Sequence, residues 1–131
     1  MVGDPVGDFI IRLKNAGAVS HPRVTVPYSK FKHAIADKLV TAGFLTAVEK
    51  RGKKTKKILD IELKYTEVGE PIIRGVKRVS KPGRRLYIGV GNIYPIKFGQ
   101  GKVILSTPAG VLTGEEARAQ NIGGEQLFII W

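Results

Sequence analysis

The chain has 131 residues, with 22 Lys and Arg against 11 Asp and Glu, for a formal net charge of +11. A hydrophobic share of 43% is enough to build a core, so this is no disordered basic tail, and the surplus of cations implies a polyanionic partner, nucleic acid first. Cysteine is absent, which excludes disulfides, thiolate metal sites and a cysteine nucleophile.

The first helix is signalled by Asp4 as cap, Pro5 at its first position and Gly17 at its end. Val6, Phe9, Ile10 and Leu13 recur at helical spacing along its buried face. A short strand, Val24-Thr25-Val26, stops at Pro27. Ser29 then caps a second helix with Phe31, Ala34, Ile35, Leu39 and Ala42 on its apolar face and Gly43 closing it. From Phe44 the period changes to two. Leu59, Ile61, Leu63 and Tyr65 alternate with Asp60, Glu62 and Lys64, and this strand pairs with Phe44 to Val48 across the basic turn Lys50 to Lys57. A further strand is expected near Ile72 to Val79. Pro82-Gly83 marks a turn that no periodicity crosses, so the chain divides there into lobes 1–80 and 81–131. The second lobe has short strands at Leu86 to Val90, Lys102 to Ser106 and Glu125 to Trp131. Thr113 with Glu116 forms a capping box before one short helix, Gly114 to Gln120. The fold class is α+β in two small lobes: two helices on a three-stranded sheet, then a mostly β lobe with one short helix.

Several segments carry possible chemistry. Lys30 and Lys32 occupy the first turn of the second helix, where the helix dipole disfavours cations. With the free N–H groups of that turn they make a phosphate corner, or else two solvated lysines. The Lys50 to Lys57 turn adds sequence-independent attraction to phosphates, or is a solvated hairpin tip. Pro71 to Gly114 contains no acidic residue and carries Arg74, Lys77, Arg78, Lys81, Arg84, Arg85, Lys97 and Lys102, with Tyr87, Tyr94 and Phe98 interleaved. Arginines beside exposed aromatics grip phosphates and stack on unpaired bases; Tyr87, within a strand, reads better as core. Ser106-Thr107-Pro108-Ala109-Gly110 and Asn121-Ile122-Gly123-Gly124-Glu125 are polar turns. Their hydroxyls and amides suit 2′-hydroxyls and base edges in a shallow minor groove, or are satisfied locally. Glu125 accepts from a base amino group or pairs with an arginine.

Catalysis is poorly supported. His21 and His33 have no nucleophile or ligand partner nearby in sequence, and the carboxylates are dispersed. Gly99-Gln100-Gly101-Lys102 lacks the other residues of a phosphate loop. No cofactor is expected. No apolar run reaches membrane-span length, and the opening Met1-Val2-Gly3-Asp4-Pro5 has neither the basic start nor the apolar core of a signal peptide. A cytoplasmic protein without a membrane partner is expected.

Four motifs, in order, resemble the bacterial form of the small-subunit ribosomal protein eight family. They are Asp4-Pro5-Val6-Gly7-Asp8 continuing to Arg12-Leu13-Lys14-Asn15-Ala16, and Val24-Thr25-Val26-Pro27 with Ser29-Lys30-Phe31-Lys32. Then come Arg78-Val79-Ser80-Lys81-Pro82-Gly83-Arg84-Arg85-Leu86-Tyr87, and Ser106-Thr107-x-x-Gly110-Val111-Leu112-Thr113 with Ala117-Arg118 and Gly123-Gly124-Glu125. The resemblance implies a structural constituent of the small subunit that binds the central domain of 16S ribosomal RNA beside neighbouring ribosomal proteins. It also implies that both lobes touch RNA and the C-terminal lobe makes the specific contacts. Carried over by position, Ser106, Thr107, Gly110, Gly123, Gly124 and Glu125 fall in that surface, and Lys30, Lys32, Arg78, Ser80, Lys81, Arg84 and Tyr87 support it. Members in some bacteria repress their own messenger RNA through a mimic of the ribosomal site, which these residues do not reveal. Pro108 and Ala109 stand where the family often has a hydroxyl and a basic residue, and Phe128 where a cysteine is usual. The competing expectations are a general RNA-binding or RNA-chaperone module without ribosomal specificity and, more remotely, an enzyme acting on an acidic substrate.

Overall fold

The computed structural model describes residues 4–93 and 101–131. Two compact units divide the chain, one of Asp8–Arg74, the other of Gly75–Trp131 together with the described residues up to Gly7. The elements run α1 (Pro5–Ala18), β1 (Arg23–Pro27), α2 (Lys30–Thr41), β2 (Leu45–Arg51), β3 (Ile58–Leu63) and β4 (Val76–Arg78). They continue with β5 (Tyr87–Ile88), a 3-10 turn (Val90–Asn92), β6 (Lys102–Thr107), β7 (Gly110–Thr113), α3 (Gly114–Ala119) and β8 (Gly124–Ile130). The fold is α+β, with two antiparallel sheets ordered β1-β3-β2 and β4-β8-β6-β7, β5 also pairing with β8.

In the unit Asp8–Arg74 the caps work as their residue types predict. The Ser29 hydroxyl accepts from the Lys32 amide at 3.0 Å, and Gly43 takes the positive φ of 91° that ends the α2 region. α2 buries Ile35, Ala36 and Leu39 and packs on β2. Each such fully buried aliphatic contributes about 1.5–3 kcal/mol. Phe31, expected on that face, is 40% exposed, since it falls in the first turn, before the packed stretch begins. Gly17 is the last residue but one of α1. A Cβ there would come within 3.2 Å of the Pro71 Cβ, so the glycine serves a close approach, and Ser20 takes the left-handed conformation instead. β3 alternates as expected except at Asp60, which is nearly buried between Arg23 at 3.3 Å and Arg51 at 3.4 Å.

The segment expected as a strand over Ile72 to Val79 is shorter and belongs elsewhere. Only Val76–Arg78 is a strand, and it pairs with Phe128–Ile130 of β8. The compact units therefore divide between Arg74 and Gly75, and the Pro82-Gly83 turn lies inside the second unit. One core cluster there is Ile93, Val103, Leu105, Leu112 and Ala117, with Ile88, Val90 and Ile129 packed against it. Phe128 is fully buried, in register with Ile104 and Arg78. β7 extends the sheet just after the Ser106 turn, and α3 opens on the capping box, Thr113 Oγ1 accepting from the Glu116 amide at 3.2 Å and Glu116 Oε1 from the Thr113 amide at 3.0 Å.

Candidate nucleic-acid interface

β8 organises the candidate surface. Glu125 lies opposite Tyr87 on one side and Ser106 on the other, and Ser106 lies opposite Val111. Paired residues of antiparallel strands share a face, so Tyr87, Glu125 and Ser106 form one row across β5, β8 and β6. Two glycines let these strands close up. A Cβ on Gly124 would sit 2.4 Å from the Ser106 carbonyl oxygen and 2.9 Å from Thr107 Cγ2; one on Gly123 would sit 2.4 Å from the Ile88 carbonyl oxygen. A register shift between Ile104 and Leu105, opposite Phe128 and Gln126, leaves Leu127 as the extra residue of a bulge. Its carbonyl is taken by Arg78 Nη1.

The side chains of the row differ in character. Tyr87 is 69% exposed; it is a surface aromatic rather than a core one, because its strand neighbour Ile88 supplies the core contact. Glu125 is largely covered, and its Oε1 lies 3.9 Å from Arg85 Nη1, too long for a tight ion pair. Arg85, outside the expected site set, is exposed beside this row through its approach to Glu125. Thr107 spends its hydroxyl within the turn, donating to the Gly110 carbonyl at 2.7 Å and accepting from the Ala109 amide at 3.1 Å. Gly110 holds φ of 111°, which any other L-residue would adopt only under strain. The turn is thus rigid and presents its backbone and Ser106, with Pro108 and Ala109 exposed at its tip.

On the other flank, the loop from Ser80 to Leu86 is fastened to β8. The Ser80 amide donates to the Gln126 carbonyl at 3.0 Å and the Gln126 amide to the Leu86 carbonyl at 2.8 Å. Lys81 and Arg84 exchange two backbone hydrogen bonds of 2.9 Å across Pro82-Gly83, which leaves both side chains exposed. Ser80 and Arg78, both in the expected RNA-binding set, are engaged in internal hydrogen bonds. Ser80 is 0% exposed; its hydroxyl donates to the Leu86 carbonyl at 3.1 Å and accepts from the Leu86 amide at 2.8 Å, so it closes the loop and is out of reach of a ligand. Arg78 grips Asp4 with Nε on Oδ2 and Nη2 on Oδ1, each at 3.0 Å, and its side chain is mostly covered. Burial alone would raise the Asp4 pKa, but hydrogen bonds from Arg78 and the Gly7 amide, with the charges of Arg78 and Lys81, outweigh it and hold the carboxyl below its usual value near 3.8.

Lys30 and Lys32 belong to the other unit, where Lys30 is exposed and Lys32 half-buried. Tyr94, Lys97, Phe98 and the Gly99-Gln100 pair lie outside the described residues. His33 stands 3.6 Å from Asp37 and edge-on to Tyr28, and His21 uses its carbonyl to accept from the Tyr65 hydroxyl. Among the described residues no cluster of three or more His, Cys, Asp or Glu could hold a metal ion, and no helix is long and apolar enough to cross a membrane.

A basic surface of hydroxyl, carboxylate and aromatic groups set on a rigid sheet is the kind a nucleic-acid-binding scaffold presents. The sequence model of the ribosomal protein S8 family matches residues 4–131. The chain is 43% identical over 130 residues to the small ribosomal subunit protein uS8 of Dictyoglomus turgidum, covering 99% of this chain and 98% of the relative. It is 44% identical over 131 residues to that of Oleidesulfovibrio alaskensis, at 100% of both, and 39% identical over 128 residues to that of Lactobacillus delbrueckii subsp. bulgaricus, at 98% and 97%. The chain belongs to the ribosomal protein S8 family, a family of structural proteins and not of enzymes.

Proposed function

We propose that this chain is a structural constituent of the small ribosomal subunit, in the cytoplasm, that binds the central domain of 16S ribosomal RNA and supports its folding during assembly. The observation that carries the reading is the row Tyr87, Glu125 and Ser106, flanked by Lys81, Arg84 and Arg85. Tyr87 offers a face on which an unpaired base stacks. Glu125, held by Arg85 only at 3.9 Å, accepts from a base amino group. Ser106 bonds a ribose hydroxyl or base edge, and the exposed cations hold the flanking phosphates. Gly110, Gly123 and Gly124 shape this surface, and Thr107, Ser80 and Arg78 keep it rigid. Residues 81–131 carry the main contact turns, and Lys30 and Lys32 of the Asp8–Arg74 unit supply support. Neighbouring small-subunit proteins are the other partners, and the chain's own messenger RNA is a partner to the extent that it copies the ribosomal site.

The test is gel-shift binding to a hairpin from the 16S central domain against a scrambled RNA of equal length at physiological salt. A preference on the order of a thousandfold or more is expected of a specific binder. Equal binding to both would favour instead a general RNA-binding module, a reading the exposed lysines of the β2–β3 turn would then carry.

A further inference from the structure

The unit Asp8–Arg74 gathers cations that are separate in sequence. The β2–β3 hairpin ends beside the start of α2: Pro27 and Arg51 both pair with Ile58, and the Tyr28 amide donates to the Lys57 carbonyl at 3.1 Å. Lys50 Nζ lies 4.3 Å from the centre of the Tyr28 ring, whose edge meets His33. Arg51 is spent on Glu49 at 2.8 Å and on Asp60. Beyond it Lys53, Lys54, Lys56 and Lys57 are all exposed, with no carboxylate partner among the described residues. The tip is a folded turn and not a loose loop. The Lys56 amide donates to the Lys53 carbonyl at 2.9 Å, and Gly52, at φ of 105°, passes so close to Lys56 that a Cβ would lie 2.2 Å from its carbonyl oxygen. Lys53 and Lys54 thus precede Thr55 and Lys56 and Lys57 follow it, around a tight turn closed by the Lys53–Lys56 hydrogen bond.

We propose that this tip, flanked by Lys30 and Lys32, straddles the major groove of an A-form RNA duplex and clamps the phosphates on its two sides. The proposal rests on RNA being the partner but not on recognition of the central domain. A cationic turn this tight suits the deep, narrow major groove of an A-form duplex, where lysines on either side of the turn can each meet one phosphate row. The B-form groove, about 12 Å wide, keeps its rows too far apart for one turn to touch both. Single strands are usually held by open aromatic faces, and here the Tyr28 ring is taken by Lys50, leaving only Phe31 partly open. The tip therefore reads duplex form, not sequence.

The experiment compares the full chain with K53Q/K54Q/K56Q/K57Q for binding to a blunt RNA duplex of arbitrary sequence, to one of its strands alone, and to the matching DNA duplex, across about 50 to 200 mM salt. Each lost phosphate contact lowers the slope of log affinity against log salt by about 0.9, so the variant's slope falls by about 3–4 units and its loss over that range shrinks by about a hundredfold. The four substitutions should lower affinity for the RNA duplex more than for either other probe, with the melting curve unchanged. An equal or larger loss on the single strand or the DNA duplex, or an unaltered slope in the variant, overturns the proposal. A wild type that ignores the central-domain hairpin while the variant loses duplex preference would sink the ribosomal-site reading and leave this one standing.

Discussion

Replacing Gly124 with alanine tests whether the contact row depends on backbone proximity. The new methyl would lie 2.4 Å from the Ser106 carbonyl oxygen, about 1 Å short of an ordinary contact of 3.4 Å. The obstacle is main chain, so no rotamer change relieves it, and β8 must move away from β6 where Ser106 and Glu125 pair. Overpacking of this kind costs about 1–3 kcal/mol, which for a chain of this size lowers the melting temperature by roughly 5–10 °C. Trp131, the one tryptophan of the chain, reports the event by fluorescence, because its indole is packed against Gly75 in the same unit. Gly89→Ala is the internal control: the backbone there is extended, and nothing lies within 4 Å of a Cβ. Alanine at 89 should be neutral or stabilise by up to about 1 kcal/mol through the unfolded chain. If Gly124→Ala melted with Gly89→Ala, at or above the wild type, the close approach of β8 to β6 would not constrain the site.

The Asp4–Arg78 pair gives a pH signature. The folded carboxyl titrates below its usual value near 3.8, so its contribution is present above that value and is lost as pH falls through the lower, folded pKa. Asp4→Asn should therefore destabilise at neutral pH by an amount on the order of 1 kcal/mol or less for so partly exposed a pair, and its melting curve should approach that of the wild type in acid; a gap that does not narrow as the pH is lowered would contradict the linkage. Ser80→Ala removes the buried hydroxyl that bonds both the amide and the carbonyl of Leu86, leaving that amide without its partner, and should cost about 1–3 kcal/mol, with faster proteolysis between Lys81 and Arg85. Unchanged stability and cleavage would contradict its role in closing the loop.

Much of the architecture was legible because local chemistry decides it. Ser29, Gly43 and the Thr113–Glu116 box act within a turn of their own sequence neighbours, and caps of that kind can be read without tertiary knowledge. What failed to read was partnership across distance. Alternation near Val76 identifies a strand but cannot say that its partner is Phe128–Ile130. β7 is hidden because its residues, Gly110–Thr113, lie between a turn and a helix cap and show no usable period. In the site, Arg78 and Ser80 have the residue types of RNA contacts, yet Asp4, 74 positions away, claims one, and Leu86 claims the other. Tyr87 went the opposite way: its strand setting suggested core, whereas the pleat assigns the core to Ile88 and leaves the ring exposed. A polar residue's type shows that it can bond; only the fold shows with whom.

If the row on β5, β8 and β6 discriminates RNA, a substitution in it changes preference and not merely affinity. The most direct measurement is the ratio of affinities for the central-domain hairpin and its scrambled counterpart, in the wild type, Tyr87→Ala and Ser106→Ala. Loss of a base stack costs about 1–3 kcal/mol, so Tyr87→Ala should lower the ratio about 5- to 150-fold, and Ser106→Ala should lower it less, with affinity for the scrambled RNA nearly unchanged in both. Equal losses on the two RNAs, or a ratio that stays at the wild-type value, would contradict the assignment of specificity to this row.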